Sequence, residues 1–459
     1  DFKPKRGEPS VEMFAAMPPL EAKKLLFRMA AGVRGWRRRR GVAEIKLMFI
    51  DVRKAHLNAV CDEEAWVELP EEFWKWGRYA KLKRWLYGMR KAAAGWEEEY
   101  AKKFEEEGYK RGIGAPTVFY NEKAETRLVV HGDDFTFSGP RKELMRMRKR
   151  MKEWYEVKDR GIMGSGGEEL KEVTILGRTL RWTEEGLEYE ADGKHVQDLM
   201  GAEGLNERSN TVVSPVVKPR TKVEDEESEE LGREEVKEYR GEAAKLNYLG
   251  GDRPDLQYAT KEICQGMARP TVEGKGRIKR AARFLVGARR LIWYFREFDG
   301  EERPMSLDVC VDSDWAGSTD RKSTSGGMIC VNGAAIKHWS RTQKARALSS
   351  GEAEYYAIVT GSAEGLGMQS LAIDLGWKFQ VVAHTDSSTA KSVAGRRGLG
   401  RMRHVELKYL WVQEVVSKGR IRMRKIPGLQ NPADILTKPK ERRELGRLLA
   451  KVSAYYEAS

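Results

Sequence analysis

Cysteine is scarce in this chain of 459 residues, and so are long apolar runs. The four cysteines, Cys61, Cys264, Cys310 and Cys330, are too few and too scattered for a disulfide framework or a zinc knuckle. No run of about 18 apolar residues predicts a membrane-spanning helix. The first ten residues lack the apolar core of a secretory signal, and the chain opens on Asp rather than Met. We therefore expect an excised piece of a longer intracellular protein, without a membrane partner.

Basic residues outnumber acidic ones, 84 to 70, which gives a net charge of +14. The 13 Trp argue against disorder, and the length predicts about three domains. Basic runs occur at 37–40 and 141–152, and Arg420, Arg422 and Arg424 alternate along a predicted strand. Alternation places those three guanidinium groups on one face, where arginine suits phosphate. A polyanionic partner and a well-solvated surface both remain open.

Apolar spacing predicts an ordered series of helices and strands. The predicted helices are 11–35, 91–108, 142–153, further segments up to about 298, 351–374 and 404–418. The predicted strands are 44–52, 126–131, 135–138, broken strands over 171–189, 307–312, 327–331, 380–385 and 420–426. Residues 218–238 are highly charged and predict a linker, and 298–304 predict a second boundary. The pattern from residue 305 is typical of a compact α/β unit.

Three carboxylates form the first acidic pattern. Asp51 closes a predicted strand, and Asp133 and Asp134 lie at the tip of a predicted hairpin. Adjacent strands are about 4.8 Å apart, so these elements can bring the three side chains together. Clustered carboxylates repel unless a cation neutralises them, and Mg²⁺ prefers oxygen ligands. The alternative is that Gly-Asp-Asp is an ordinary turn.

Four carboxylates form the second acidic pattern. Asp312 and Asp386 follow predicted strands, whereas Glu354 and Asp434 lie at predicted helix starts. Such a set can hold two Mg²⁺ ions over a phosphodiester. Each acid taken alone is as well explained by an N-cap or a surface charge.

Several segments, in this order, resemble the reverse transcriptase and ribonuclease H of copia-type retrotransposons. They are 51–58 (DVRKAHLN), 68–73 (ELPEEF), 81–90 with Trp96, 131–134 (HGDD), 246–249 (LNYL), 253–259 (RPDLQYA), 311–317 (VDSDWAG), 320–326 (DRKSTSG), 347–355 (ALSSGEAEY), 385–387 (TDS) and 431–438 (NPADILTK). The resemblance runs from about residue 18 to about residue 440.

The resemblance implies an α+β right-hand polymerase, with palm, partial fingers and thumb or connection, followed by an α/β RNase H-like domain. The implied domains are 1–140 (partial fingers and palm), 141–217 (remaining palm and thumb), 218–304 (linker and connection), 305–440 (RNase H) and 441–459 (tail). The implied partners are an RNA template, a DNA primer, dNTPs and an RNA–DNA hybrid, with protease and integrase parts of a Pol polyprotein as further candidates. The implied location is a cytoplasmic particle or the nucleus.

The resemblance also implies roles for named residues. The implied metal ligands and catalytic acids are Asp51, Asp133 and Asp134 in the palm and Asp312, Glu354, Asp386 and Asp434 in RNase H, with two Mg²⁺ or Mn²⁺ ions per site. The implied nucleotide-binding residues are His56, Arg90 and Lys91. His56 stands where an aromatic sugar gate is usual, and His131 and Gly132 depart from the usual aromatic–Val pair. The role of His404, which matches a family histidine, is open.

Two neighbouring glutamates compete for the ribonuclease H role. Glu352 and Glu354 point about 200° apart on a helix, so both cannot face one metal pair. In ribonuclease H domains a small residue follows the ligand by three positions. Ala357 fits that place after Glu354, whereas Tyr355 stands there after Glu352. We therefore expect Glu354 to be the ligand and Glu352 to interact with the helix dipole.

The fingers are short, because only about 50 residues precede Asp51. Two alternatives to an active polymerase–nuclease thus stay open: a degenerate nucleic-acid-binding relic, and a ribonuclease H whose polymerase part is inactive.

Overall fold

The computed structural model describes residues 19–217, 228–298, 306–318, 320–400 and 402–457. They divide into two compact units. The first runs to Lys171 and includes Ser370–Trp377, and the second comprises Glu172–Gln369 and Lys378–Ser459. No helix in the described ranges is long and apolar enough to cross a membrane.

The first unit is built around an antiparallel sheet. Its strands are β1 (Ile45–Val52), β2 (Trp66–Glu68), β3 (Tyr79–Lys81), β4 (Lys110–Arg111), β5 (Val118–Asn121), β6 (Thr126–His131), β7 (Asp134–Pro140) and β8 (Val157–Met163). Its helices are α1 (Leu20–Gly32), α2 (Arg34–Arg39), α3 (Ala92–Glu106) and α4 (Arg141–Trp154). Six strands form one sheet in the order β4-β5-β6-β7-β1-β8, while β2 and β3 pair separately.

Helix α3 packs on this sheet through residues four positions apart. Trp96, Tyr100 and Phe104 are buried on one face, in a core shared with residues of β1, β6 and β7. Gly108 has φ +82°, a left-handed conformation that glycine adopts readily just past a helix end. The core therefore fixes β1, the strand that carries Asp51.

The second unit contains two five-stranded sheets. Its strands are β9 (Glu172–Ile175), β10 (Arg178–Trp182), β11 (Gly186–Ala191), β12 (Leu291–Arg296), β13 (Ser306–Asp314), β14 (Thr324–Val331), β15 (Ala334–Thr342), β16 (Gln380–Thr385), β17 (Ile421–Lys425) and β18 (Ala454–Tyr456). Its helices are α5 (Gly193–Ala202), α6 (Arg233–Gly250), α7 (Pro254–Gln265), α8 (Val272–Gly287), α9 (Ser350–Asp374), α10 (Ser388–Gly395), α11 (Trp411–Ser417) and α12 (Arg442–Ala450); the last residues of α9 group with the first unit.

One of these sheets is mixed and carries the second set of acids. Its order is β15-β14-β13-β16-β17, with β13 antiparallel to β14 and the neighbouring strands β13, β16 and β17 parallel. Helix α9 lies close against β13, since a Cβ at Gly361 would come within 2.3 Å of the Val311 side chain. The other sheet is antiparallel, in the order β18-β12-β11-β10-β9.

Several sequence expectations are wrong in detail. Residues 291–296 are strand β12, not helix, because this apolar run pairs with β11 and β18. Strand β15 was not expected, and the helix predicted over 404–418 is a 3₁₀ turn (Leu407–Leu410) followed by α11. The linker predicted over 218–238 is wrong at its end, because α6 begins at Arg233. Residues 218–227 of that linker and residues 11–18 of the first predicted helix lie outside the described ranges.

Residues 441–459 were expected as a tail. Within them, α12 forms and β18 pairs with β12 as the edge strand of its sheet. The proposed domain boundaries otherwise stay predictions.

Candidate active sites

The first acidic cluster lies at the tip of the β6–β7 hairpin. Asp51 of β1 pairs with Asp134 of β7, and Gly132 and Asp133 form the two-residue turn between β6 and β7. Gly132 has φ +65°, which suits the first position of such a turn. The Trp96 indole donates to the Gly132 carbonyl at 2.9 Å, and the Val52 N–H donates to the Asp133 carbonyl at 2.9 Å. The turn is thereby fixed to the end of β1.

Arg160 of β8 occupies the space between two of these acids. Its Nη2 donates to Asp51 Oδ2 at 2.9 Å and lies 3.5 Å from Asp134 Oδ1. Burial raises the pKa of Asp134, Lys23 and Arg160 oppose that rise, and the charges of Asp133 and Asp51 add to it. Sequence reasoning missed Arg160, which is 109 positions from Asp51 and carries no motif of its own.

The donor atoms suit Mg²⁺, but their present arrangement does not. In the described ranges, one group of three possible ligands has its atoms all within 4.8 Å of one another, and Asp51, Asp133 and Asp134 are not that group. A divalent cation shared by Asp51 and Asp134 would have to displace the Arg160 guanidinium, since like charges repel.

The residues expected to bind nucleotide lie in different surroundings. His56 belongs to the 3₁₀ turn Ala55–Asn58 and stacks on the Tyr87 ring, with centroids 4.4 Å apart. Burial lowers the pKa of His56, and the charge of Asp133 opposes this, so the imidazole is close enough to sense the first cluster. Lys91 Nζ lies 2.9 Å from Glu63 Oε1, and Arg90 directly precedes it before α3. Their nucleotide-binding roles stay predictions.

The second acidic cluster lies where β13 and β16 end. These strands are parallel, with Cys310 opposite His384, so Asp312 near the end of β13 lies beside Asp386, which directly follows β16. Glu354, from the start of α9, completes the group. One carboxylate oxygen of each residue lies within 4.8 Å of the other two.

Electrostatic strain in this second cluster is large. Burial raises the pKa of Glu354 to about 9, and the charges of Asp312 and Asp386 add to the rise. Glu354 Oε1 accepts from the Ser313 N–H at 3.2 Å, whereas Oε2 is buried with no donor among the described residues. Burial also raises the pKa values of Asp312 and Asp386. An orphaned buried oxygen and three clustered carboxylates are the donor set that a divalent cation requires.

Asp434 lies at the rim of this cluster. It belongs to the 3₁₀ turn Pro432–Leu436 and forms ion pairs with Lys438 and with Lys440. Its charge raises the pKa values of Asp312 and Asp386, while Lys438 lowers both. The two lysines were not weighed from the sequence, although Lys438 stands in the NPADILTK segment.

Glu352 points away from the cluster and has its own partners. Its carboxylate accepts from the Leu348 N–H at 3.0 Å, the Tyr356 hydroxyl at 2.8 Å and His404 Nε2 at 2.8 Å. Its side chain is 1% exposed. The structure thus gives His404 a partner, and gives Glu352 three donors where only a helix dipole was expected.

No protein-family model matches the sequence. The Pol polyprotein of transposon TNT 1-94 from Nicotiana tabacum is 25% identical over 468 residues, covering 97% of this chain and 33% of that protein. The Pol polyprotein of transposon RE1 from Arabidopsis thaliana is 26% identical over 88% of this chain and 27% of that protein. The chain is a homologue of copia-type retrotransposon Pol polyproteins.

This chain spans about a third or less of the length of those relatives. Among solved structures, it overlaps an RNase H1 in complex with an RNA/DNA hybrid, with TM-score 0.22 and 17% identity, over 29% of this chain and 94% of that one. It also overlaps a foamy viral protease–reverse transcriptase in complex with dsDNA, with TM-score 0.21 and 14% identity, over 83% of this chain and 68% of that one.

Proposed function

We propose that this chain is an RNA-directed DNA polymerase with ribonuclease H activity, copying RNA into DNA and cleaving the RNA strand of the hybrid. Its partners would be an RNA template, a DNA primer, dNTPs and the hybrid. The observation that carries the proposal is the partly buried cluster of Asp312, Glu354 and Asp386, in which the pKa of Glu354 is strongly raised. Similarity to the copia-type Pol polyproteins supports the polymerase activity in this proposal.

The ribonuclease H site would hold Mg²⁺ or Mn²⁺ through Asp312, Glu354 and Asp386, with Asp434 completing a two-ion set. The metal would supply a Lewis acid for the water nucleophile and for the leaving oxygen. The protein's own part is positioning: the Thr437 hydroxyl donates to Asp312, and the Ser313 N–H holds Glu354. Lys438 balances carboxylate charge at the rim.

The polymerase site would use Asp51, Asp133 and Asp134 for its metals. Supporting this role, the hairpin turn and the end of β1 bring the three acids to the same end of neighbouring strands in the first unit's sheet. Polymerisation there requires Arg160 to leave Asp51 and Asp134.

A second candidate function is ribonuclease H without polymerase activity. The specific observation in its favour is that the Arg160 guanidinium is paired with both Asp51 and Asp134. A buried or half-buried ion pair resists disruption, because each partner would be left uncompensated.

Paired assays with the same protein separate these functions. We expect wild-type protein to extend a DNA primer on an RNA template and to cleave a labelled RNA–DNA hybrid, both with Mg²⁺. Asp133→Asn with Asp134→Asn should abolish extension alone, and Asp312→Asn should abolish cleavage alone. Glu414→Gln, an exposed carboxylate paired with Lys418, serves as control and should change neither.

Cleavage without extension in the wild type would establish the second candidate function. Absence of both activities in folded protein would refute the proposal in favour of a binding relic.

A further inference from the structure

The edge strand β17 carries a row of basic side chains without acidic neighbours in sequence. No Asp or Glu occurs between Glu414 and Asp434, whereas Arg420, Arg422 and Arg424 recur at every second position. All three are exposed, and Ile421 between them is buried. Alternation in β17 places Arg422 and Arg424 on one face, about 6.6 Å apart, and Arg420 directly precedes the strand. We call these three residues the arginine row.

The arginine row has no carboxylate partner in direct contact among the described residues. None of its three guanidinium groups forms an ion pair there; the charge of Arg424 helps to lower the pKa of Asp308, but the carboxylate of Asp308 is bonded to His384 at 2.8 Å. Helix α4 is the contrast, because its Arg146, Arg148 and Arg150 each pair with a carboxylate. The basic run on α4 is therefore largely neutralised, while the row is not.

The row leads to the second acidic cluster. Strands β16 and β17 are parallel, with His384 opposite Arg424 and Thr385 opposite Lys425. The Ile426 N–H donates to the Thr385 carbonyl at 3.1 Å, one residue before Asp386. A polyanion lying along the row would therefore run toward Asp386, at the carboxyl ends of β16 and β17.

We propose that the arginine row binds the phosphate backbone of the RNA–DNA hybrid and guides it to the Asp312–Glu354–Asp386 cluster. This inference rests on the proposed ribonuclease H function. Arginine suits the task, because its planar fork donates two parallel hydrogen bonds to one phosphate. The alternative is an edge strand charged only to prevent edge-to-edge association, which would need no phosphate partner and would leave hybrid binding unchanged when the charges are removed.

Salt-dependent hybrid binding tests the row. Anisotropy of a labelled hybrid is measured against salt in EDTA, where cleavage stops. The slope of log K against log[salt] is negative, and each lost phosphate contact makes it shallower by about 0.9. Arg422→Gln with Arg424→Gln should therefore make it shallower by about 1.8. Arg422→Lys with Arg424→Lys should keep most of the slope. With Mg²⁺, the glutamine variant should raise KM for hybrid cleavage and leave kcat nearly unchanged.

Lys378→Gln with Lys451→Gln is the matched control. It removes the same charge from two exposed positions. Lys378 lies just before the start of β16, and Lys451 lies beside Val452, which contacts β15 at the opposite edge of the sheet. This control should leave the slope unchanged. An unchanged slope in the row variant, or its self-association in sedimentation, would overturn the proposal. Absence of hybrid cleavage in the wild type would instead refute the proposed function itself.

Discussion

At the scale of single residues, Arg160 controls what the first acidic cluster can bind. It places a positive charge against Asp51 and Asp134, both partly buried, where a metal would need the same oxygens. A charge-assisted hydrogen bond contributes about 1.5–3 kcal/mol, so its loss should ease metal entry by roughly tenfold or more. Sequence reasoning identified the three acids and still could not foresee this competitor.

Arg160→Leu should therefore lower the Tb³⁺ concentration that half-saturates the first cluster. The background is Asp312→Asn, which disables the second cluster, and the signal is Tb³⁺ luminescence excited through Trp96, whose indole bonds the Gly132 carbonyl. Arg53→Leu is the control, because Arg53 pairs with Glu156 at an exposed site. Equal Tb³⁺ affinity in the Asp312→Asn background and in its two leucine variants would show that Arg160 does not compete with the metal for Asp51 and Asp134.

At the scale of elements, the start of α9 shows what sequence could predict. The helix and the opposite directions of Glu352 and Glu354 follow from helical geometry, and the structure agrees with both. The supporting argument from Ala357 was weaker, because Tyr355 is as deeply buried as Ala357. The hydrogen bond from His404 to Glu352 spans 52 positions, so no local pattern could reveal it.

Glu352 and His404 should anchor the first turn of α9. His404→Ala removes one of three donors from a carboxylate that is almost fully buried, which should lower the free energy of unfolding by about 1–3 kcal/mol. His404→Gln keeps a donor and should restore part of the loss. Urea unfolding and hydrogen exchange over 350–356 measure the effect, with Glu406→Gln, exposed and paired with Lys408, as control. Unchanged exchange in the alanine variant would exclude the anchor.

At the scale of the whole molecule, patterns local in sequence were predicted and distant pairings were not. Strand β1, helix α3 and the β6–β7 hairpin follow from apolar spacing and turn residues. Strand β12 was mistaken for helix because a five-residue apolar run suits either element, and its partner β18 is more than 150 positions away. The lysines around Asp434 are an exception, because Lys438 and Lys440 stand only four and six positions from it and were still missed.

The two units should respond differently to Mg²⁺, and the difference should grow with pH. The second cluster offers converging carboxylates, whereas Arg160 already occupies part of the first. The folded pKa of Glu354, about 9, lies above its unfolded value, so Glu354 contributes stability at low pH that is lost as pH rises toward 9. Mg²⁺ binds the ionised form and releases the proton, so its stabilising effect should increase over that range.

Hydrogen exchange at pH 6 and at pH 8.5, with and without Mg²⁺, measures this. We expect Mg²⁺ to slow exchange in β13, β16 and the start of α9, more strongly at pH 8.5, with little change in β1 and β7. Glu354→Gln should weaken the pH dependence of that protection, because it removes the group with the highest pKa of the cluster while Asp312, with a pKa of about 6, still titrates, and Asp134→Asn should leave it intact. Equal protection of both sheets would mean that Mg²⁺ displaces Arg160 readily, and that the first cluster binds metal as well as the second.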